Sequence, residues 1–233
     1  MSDAATLFRR NDQSSREFNG NPAKYNLLYD NKVLRPMTIA KTTTPLETFK
    51  IWVKEAEAAE PNDPTAACLA TVDETGQPNA RMVLVRIIDE RGFTFFTNAN
   101  SQKGRELINQ PKAALCFHWK TLQRSVRIQG DVVPASKEES DAYYNSRHPN
   151  SRIGAWASLQ SQPLSDRSVL LQRFKEFEQK FSETENPPRP EHWHGFRIVP
   201  NRIEFWKDGE FRLHDRLAYI RNGTEWETSL LYP

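Results

Sequence analysis

The sequence predicts a mainly β protein, an antiparallel barrel or sandwich with peripheral helices. Short runs rich in β-branched and aromatic residues recur along most of the chain, divided by turn signals such as DETGQ and DERG. Helical periodicity is confined to isolated stretches between those runs, so strands carry the core and helices decorate it. At 233 residues, 37% of them hydrophobic and 27% charged, the chain is long enough for one sizeable domain.

Residues 1–43 are polar and aperiodic and read as an extension that stays flexible unless a ligand or partner orders it. The folded domain is expected over 44–233. It opens on a helix with Thr44 as N-cap and Pro45 at the first helical position, ending before Pro61. AACLATVDETGQPNARMVLVRIIDERGFTFFTN reads as three strands, and Ser101 then caps a short helix, QKGRELINQ, ended by Pro111. AALCFHWK and RSVRIQGDVVP are two more strands. Helical patterns at 136–146 and 165–181 flank SRIGAWASLQSQPLS. After the Pro-rich ENPPRPEHW, the segments FRIVP, RIEFWKD, FRLHDRLAYIR and EWETSLLYP are strand-like. There is no internal repeat.

Bulk properties narrow the function. Thirty-two Lys and Arg against 30 Asp and Glu leave a net charge of +2, with no electrostatic footprint for nucleic acid or an anionic membrane. No apolar stretch is long enough for a bilayer span, and the N-terminus lacks the apolar core of a secretory signal. Cys68 and Cys116 lie in strand-like runs and read as two buried thiols in a reducing compartment, so a cytoplasmic protein is expected. His192 and His194 lack enough neighbouring ligands for a metal site, so no metal is expected. Dinucleotide, Walker-type and nucleophile-elbow motifs are missing.

Several segments could carry chemistry. On a regular strand over 211–221, Arg212, His214 and Arg216 share one face, with Leu213 and Asp215 on the other. Two guanidiniums and an imidazole suit an anion such as phosphate; a solvated face with cross-strand ion pairs is an equal alternative. In ARMVLVRII the odd separation of Arg81 and Arg86 puts them on opposite faces, serving different ligands or leaving one structural. Lys103 falls in the first turn of its helix, where free N–H groups and the dipole favour an anion. Arg147, Ser151, Gln160 and Ser161 surround the apolar Ile153–Trp156 stretch, which reads equally as a capped helix packed on the barrel. Trp206 could lie against a planar ring or belong to the core.

Taken together, RMVLVR, FTFFTN, SQKGREL, FHWKTLQRSVRIQG, SRIGAWAS-LQS, RIEFW and RLHDR resemble the pyridoxamine (pyridoxine) 5'-phosphate oxidase family in order and spacing, over residues 45–233. The resemblance implies an FMN-binding split β-barrel and a homodimer with FMN at the subunit interface. It also implies oxidation of pyridoxine or pyridoxamine 5'-phosphate to pyridoxal 5'-phosphate, hydride passing to the flavin and O2 returning as hydrogen peroxide. By matching positions, it assigns FMN contacts to Arg81, Met82, Val83, Leu84, Val85, Arg86, Phe96, Thr97, Gln102, Lys103, Ser125, Gln160, Ser161, Trp206 and Arg216. Tyr143, Arg147 and Ser151 match holders of the substrate phosphate. Arg212, Leu213 and His214 match residues over the B6 ring, with Arg212 and His214 as the catalytic pair and Arg86 also touching substrate.

Several positions depart from the family's usual pattern: Arg86 for Lys, Gln102 for a basic residue, Ser125 for Gln, Leu230 for Arg, and His148-Pro149-Asn150 in a loop that commonly reads Pro-Arg-Gly, while the N-terminal extension lacks a clear match to the family's substrate-covering Arg–Tyr motif. Two other readings stand beside the B6-phosphate oxidase. One is a related FMN oxidase of the phenazine-pathway type acting on another aromatic substrate. The other is a non-catalytic flavin or B6-phosphate binder on the same scaffold.

Overall fold

A computed structural model of the chain describes residues 38–184 and 186–233. Its strands are β1 (Ala66–Val72), β2 (Pro78–Asp89), β3 (Gly92–Asn98), β4 (Lys112–Trp119), β5 (Arg124–Pro134), β6 (Trp193–Lys207), β7 (Asp215–Asn222) and β8 (Glu225–Leu230). They pair antiparallel in the order β3-β2-β1-β4-β5-β6-β7-β8, and β3 also pairs with β6. Six strands therefore close into a barrel, which removes its free edges, and β7 and β8 extend the sheet from β6. The helices are α1 (Pro45–Ala59), α2 (Gln102–Asn109), α3 (Lys137–Ser146), α4 (Pro149–Ala157) and α5 (Arg167–Lys180). This is the β-barrel with peripheral helices that the sequence predicts.

Side-chain alternation fills the barrel. Along β5, Val126, Ile128 and Val132 are buried while Arg127, Gln129 and Asp131 face out. The α1 helix starts on a capping box between Thr44 and Glu47, with Pro45 at its first turn. It delivers Phe49 and Trp52 to the core. Phe49 meets Phe93 and Phe117 edge-on at 5.1 and 5.0 Å, and Trp52 meets Phe205 at 5.2 Å.

Three expectations need correction. FRIVP and RIEFWKD are one strand, because the register slips beside Pro200 and leaves Asn201 unpaired against β5; at such a bulge the missing proline N–H costs no ladder bond. Residues 211–214 are not regular strand. Glu210–Arg212 form a 3-10 turn with φ of 56° at Phe211 and 65° at Arg212, so the shared face of Arg212, His214 and Arg216 is lost. Gly209 permits this turn: a Cβ there would lie 2.0 Å from the Leu213 carbonyl oxygen. Cys68 and Cys116 are register partners on the outer barrel face, half-buried and exposed respectively, rather than two buried thiols.

The flexible extension read over 1–43 lies outside the described residues as far as 37. Its last part is anchored: Thr38 donates from N and Oγ1 to Asp215 at 2.9 and 2.7 Å, the Thr42 N–H donates to Tyr219 Oη at 3.0 Å, and Ile39 joins the core. No helix among the described residues is long and apolar enough to cross a membrane.

The α3 helix, which carries Tyr143 and ends on Arg147, is fixed to the barrel by a buried ion pair. Glu139, part of its capping box, accepts from Arg197 Nη2 at 2.5 Å and lies 2.7 Å from Arg91 Nη2, while Arg197 Nε donates to Thr94 Oγ1 at 3.1 Å. Glu139→Ala leaves the Arg197 guanidinium buried without its carboxylate. We expect urea unfolding to register a loss of about 3 kcal/mol; an unchanged midpoint would show that Arg91 and Thr94 hold α3 without it.

Candidate active site

The β2–β3 pair, the first turn of α2, the end of α3 and the start of β6 enclose a cavity of about 280 Å³. It is lined by Met82, Val83, Leu84, Arg86, Phe96, Thr97, Asn98, Lys103, Tyr143, Arg147, Gln160 and Trp193. Three of these side chains are cationic and none is a carboxylate. A larger cavity of about 560 Å³ lies between the α1 N-terminus and the β7–β8 hairpin. Its cations, Lys50 and Arg221, share the lining with Glu47, Asp89, Glu90 and Glu225, and it contains none of the candidate site residues. Charge, not size, marks the smaller cavity.

Its walls follow from the fold. Met82, Leu84 and Arg86 alternate outward from β2, with a register slip between Val85 and Ile87 placing Arg86 at a bulge. Phe96, Tyr143 and Trp193 lie nearly parallel, Phe96 at 4.3 Å from Tyr143 and 5.6 Å from Trp193. Gly195 makes room for this wall, since a Cβ there would meet Phe96 Cε1 at 2.8 Å. Gln160 Oε1 accepts from Thr97 Oγ1 at 3.2 Å and ties the segment after α4 to β3.

Two of the cations are poorly compensated. Arg147 stacks over Trp193 at 4.9 Å, yet its Nη1 is buried with no hydrogen-bond partner among the described residues, and burial lowers its pKa. Lys103 is 9% exposed and makes no ion pair among the described residues. Burial, and then the nearby Arg81 charge, pull its pKa down, with Glu106 opposing them. Buried, under-paired cations beside flat rings fit a ligand that combines a phosphate ester with an aromatic ring system.

A second group lies elsewhere on the sheet. Ser125, Trp206 and Arg216 are register partners across β5, β6 and β7, and the His214 ring sits 4.7 Å from Trp206. His214 Nδ1 is 3.0 Å from Asp208 Oδ1 and 3.2 Å from the Gly209 N–H, so the loop holds that side of the ring. Arg216 donates Nε and Nη2 to Glu204 Oε1 at 2.9 and 2.6 Å, and Nη1 to the Tyr232 carbonyl at 2.8 Å. Arg212 and Leu213 are exposed beside this row. Trp206 lies thirteen residues along β6 from Trp193, about 40 Å of extended chain.

The remaining candidates fall outside the cavity. Val85 turns into the barrel core, Ser151 and Ser161 are exposed, and Gln102 donates to Glu106. Arg81 does not line the cavity and pairs with Glu106 at 3.2 Å. Sequence reasoning missed Trp193, Glu106 and Glu204. The last two are buried carboxylates whose partners become visible only once the strands are paired.

Comparison with known proteins shows the family. Residues 53–181 match the family model described as pyridoxamine 5'-phosphate oxidase, and residues 193–233 match the pyridoxine 5'-phosphate oxidase C-terminal dimerisation region. A pyridoxine/pyridoxamine 5'-phosphate oxidase from Rhizobium etli is 54% identical over 191 residues, covering 81% of this chain and 92% of that protein. The Hyphomonas neptunium protein of the same name is 50% identical over 200 residues, covering 85% and 91%. Among solved structures, PhzG from Burkholderia lata in complex with tetrahydrophenazine-1-carboxylic acid superposes with a TM-score of 0.77 at 33% identity, covering 82% of this chain and 94% of that one. A pyridoxamine 5'-phosphate oxidase-related, FMN-binding protein from Nostoc punctiforme, 17% identical with a TM-score of 0.65 and covering 83% and 100%, shares the fold. With a model spanning more than half its length and relatives at this identity, the chain belongs to the pyridoxamine 5'-phosphate oxidase family.

Proposed function

We propose that the protein is an FMN-dependent oxidase that converts pyridoxine or pyridoxamine 5'-phosphate to pyridoxal 5'-phosphate, with O2 as acceptor and hydrogen peroxide as product. We further propose that it works as a homodimer. The observation that carries this is the division of the candidate residues into a cationic, aromatic cavity and a distant row holding Ser125, Trp206, Arg216 and His214. The cavity, about 280 Å³, is small for a flavin nucleotide with substrate, since ligand sites run from about 300 to 1,000 Å³. Two copies can complete each other's site where one cannot.

In this reading Lys103, with Arg81 behind it, holds the cofactor phosphate, and Gln160 and Thr97 present polar edges to the ring system. Tyr143 and Arg147 hold the substrate phosphate, Arg147 through the N–H groups that lack a partner. Arg212 and His214 from the other subunit lie over the B6 ring and orient its reacting carbon. When bound, a flavin would supply the hydride-accepting and O2-reducing chemistry. The chain's residues supply placement, charge and exclusion of water. The B6-phosphate assignment is favoured over the phenazine type because relatives carrying the former name are 54% identical, against 33% for PhzG.

The purified protein should be yellow and release peroxide on addition of either B6 phosphate. Bound flavin without peroxide would favour the phenazine type, and tight pyridoxal phosphate retention without oxygen uptake would favour a binding protein. Arg212→Ala and His214→Ala should each lower kcat on the order of a hundredfold while the flavin absorbance per chain stays unchanged. Full turnover in both variants would remove these two residues from the mechanism.

A further inference from the structure

We propose that Glu106 is a positioning residue for the phosphate end of the cofactor site, fixing Arg81 against β1 and balancing the neighbouring cations Arg81 and Lys103. This rests on the FMN reading above. Glu106 sits on α2, 5% exposed, and collects four donors on its two carboxylate oxygens. Thr71 Oγ1 and Arg81 Nη2 donate to Oε2 at 2.5 and 3.2 Å; Asn79 Nδ2 and Gln102 Nε2 donate to Oε1 at 2.7 and 2.9 Å. Arg81 Nη1 donates to Thr71 Oγ1 as well, so guanidinium, hydroxyl and carboxylate form a closed ring of hydrogen bonds. The pair is largely buried, with side-chain exposures of 20% for Arg81 and 5% for Glu106.

The arrangement exceeds what anchoring a helix requires. Lys103 stands three residues before Glu106 on α2 and makes no ion pair among the described residues, while Glu106 itself is paired with Arg81 at 3.2 Å. Its hydrogen bonds to Thr71, Gln102 and Arg81 outweigh the cost of burial and keep it ionised. Without it, like-charge repulsion would drive Arg81 toward solvent and favour loss of the Lys103 proton. A phosphate ester would then meet a scattered pair of donors in place of a pre-organised one.

The test is dissociation of FMN and of riboflavin from the full-length protein, read by flavin fluorescence across a pH series, for wild type, Glu106→Gln, Arg81→Gln and the double variant. Glu106→Gln should weaken FMN binding about tenfold and leave riboflavin binding unchanged. Its preference for FMN should also fall away at lower pH than in wild type. In the Arg81→Gln background the effect of Glu106→Gln should largely vanish, because one residue acts through the other. Equal FMN affinity in wild type and Glu106→Gln, or equal losses for FMN and riboflavin, would overturn the proposal. Should Glu106→Gln fail to fold, Thr71→Val decides in its place: it keeps the carboxylate, breaks the ring, and should shift FMN binding in the same direction, whereas no shift would overturn the proposal. A wild-type protein that does not distinguish FMN from riboflavin would refute the phosphate-site reading itself, a result separate from either failure of Glu106.

Discussion

Lys103→Met should make the flavin-free protein more stable and its hold on FMN on the order of a hundredfold weaker. Both effects come from one fact: a cation is buried, 9% exposed, without an ion pair among the described residues. Replacing a poorly compensated buried charge with an apolar chain of similar length removes a desolvation cost, for a gain of about 1 kcal/mol. The same change removes the charge-assisted hydrogen bond proposed between Lys103 and the cofactor phosphate; at about 2.7 kcal/mol, that is a hundredfold in affinity. The sign of the pH dependence follows. Lys103 titrates below its ordinary 10.5 in the folded chain, first because of burial and then because of Arg81. The unfolded chain therefore binds more protons in the window between the lowered value and 10.5, and unfolding free energy contributed by this group rises with pH across it. Wild type should show that rise and Lys103→Met should not. Melting temperatures with and without FMN would measure both halves. A variant that is less stable without flavin and unchanged in FMN affinity would mean that Lys103 packs the cavity wall and binds nothing.

Much of the barrel was legible because local signals agreed with the global pattern. Thr44-Pro45 and Ser101 mark helix starts that the structure keeps, and Asp73–Gln77 is the turn that DETGQ announces. The errors occur where tertiary packing overrides a local rule. Pro200 looked like a strand end, but a bulge at Asn201 lets β6 continue. RLHDR alternates like a strand, yet Gly209 packs against the Leu213 carbonyl and forces two left-handed residues before β7 begins. Cys68 and Cys116 looked apolar enough for the core, but strand parity turns both outward.

The candidate site was partly legible in the same sense. Family resemblance pointed to Arg86, Phe96, Lys103, Tyr143, Arg147 and Gln160, which share one cavity although they come from β2, β3, α2, α3 and the segment after α4. Periodicity could not have joined them. Arg81 and Arg86 do have different surroundings: Arg81 is turned toward Glu106, whereas Arg86, at a bulge that interrupts the two-residue repeat, lines the cavity. Glu106 and Glu204 stayed hidden because a carboxylate among polar neighbours reads as a solvated surface. Only strand register reveals that each is buried against arginines.

Assayed near the wild-type KM, an equal mixture of Arg147→Ala and His214→Ala subunits, each nearly inactive alone, should recover about a quarter of wild-type activity. Arg147 belongs to the cavity beside Trp193 and His214 to the row beside Trp206, at opposite ends of β6. If each site takes its cavity from one subunit and its row from the other, a mixed dimer carries both substitutions in one site and neither in the second. Random pairing makes half the dimers mixed, and half of their sites are intact. If instead a single chain supplied both groups, every site would retain one lesion and the mixture would stay at the floor of the parents. Co-expression with two affinity tags isolates the mixed dimer, whose activity should then approach half of wild type. Titrating it with substrate separates the outcomes further: intact sites keep the wild-type KM, whereas a site damaged at Arg147 has lost its proposed hold on the substrate phosphate and turns over only at far higher substrate.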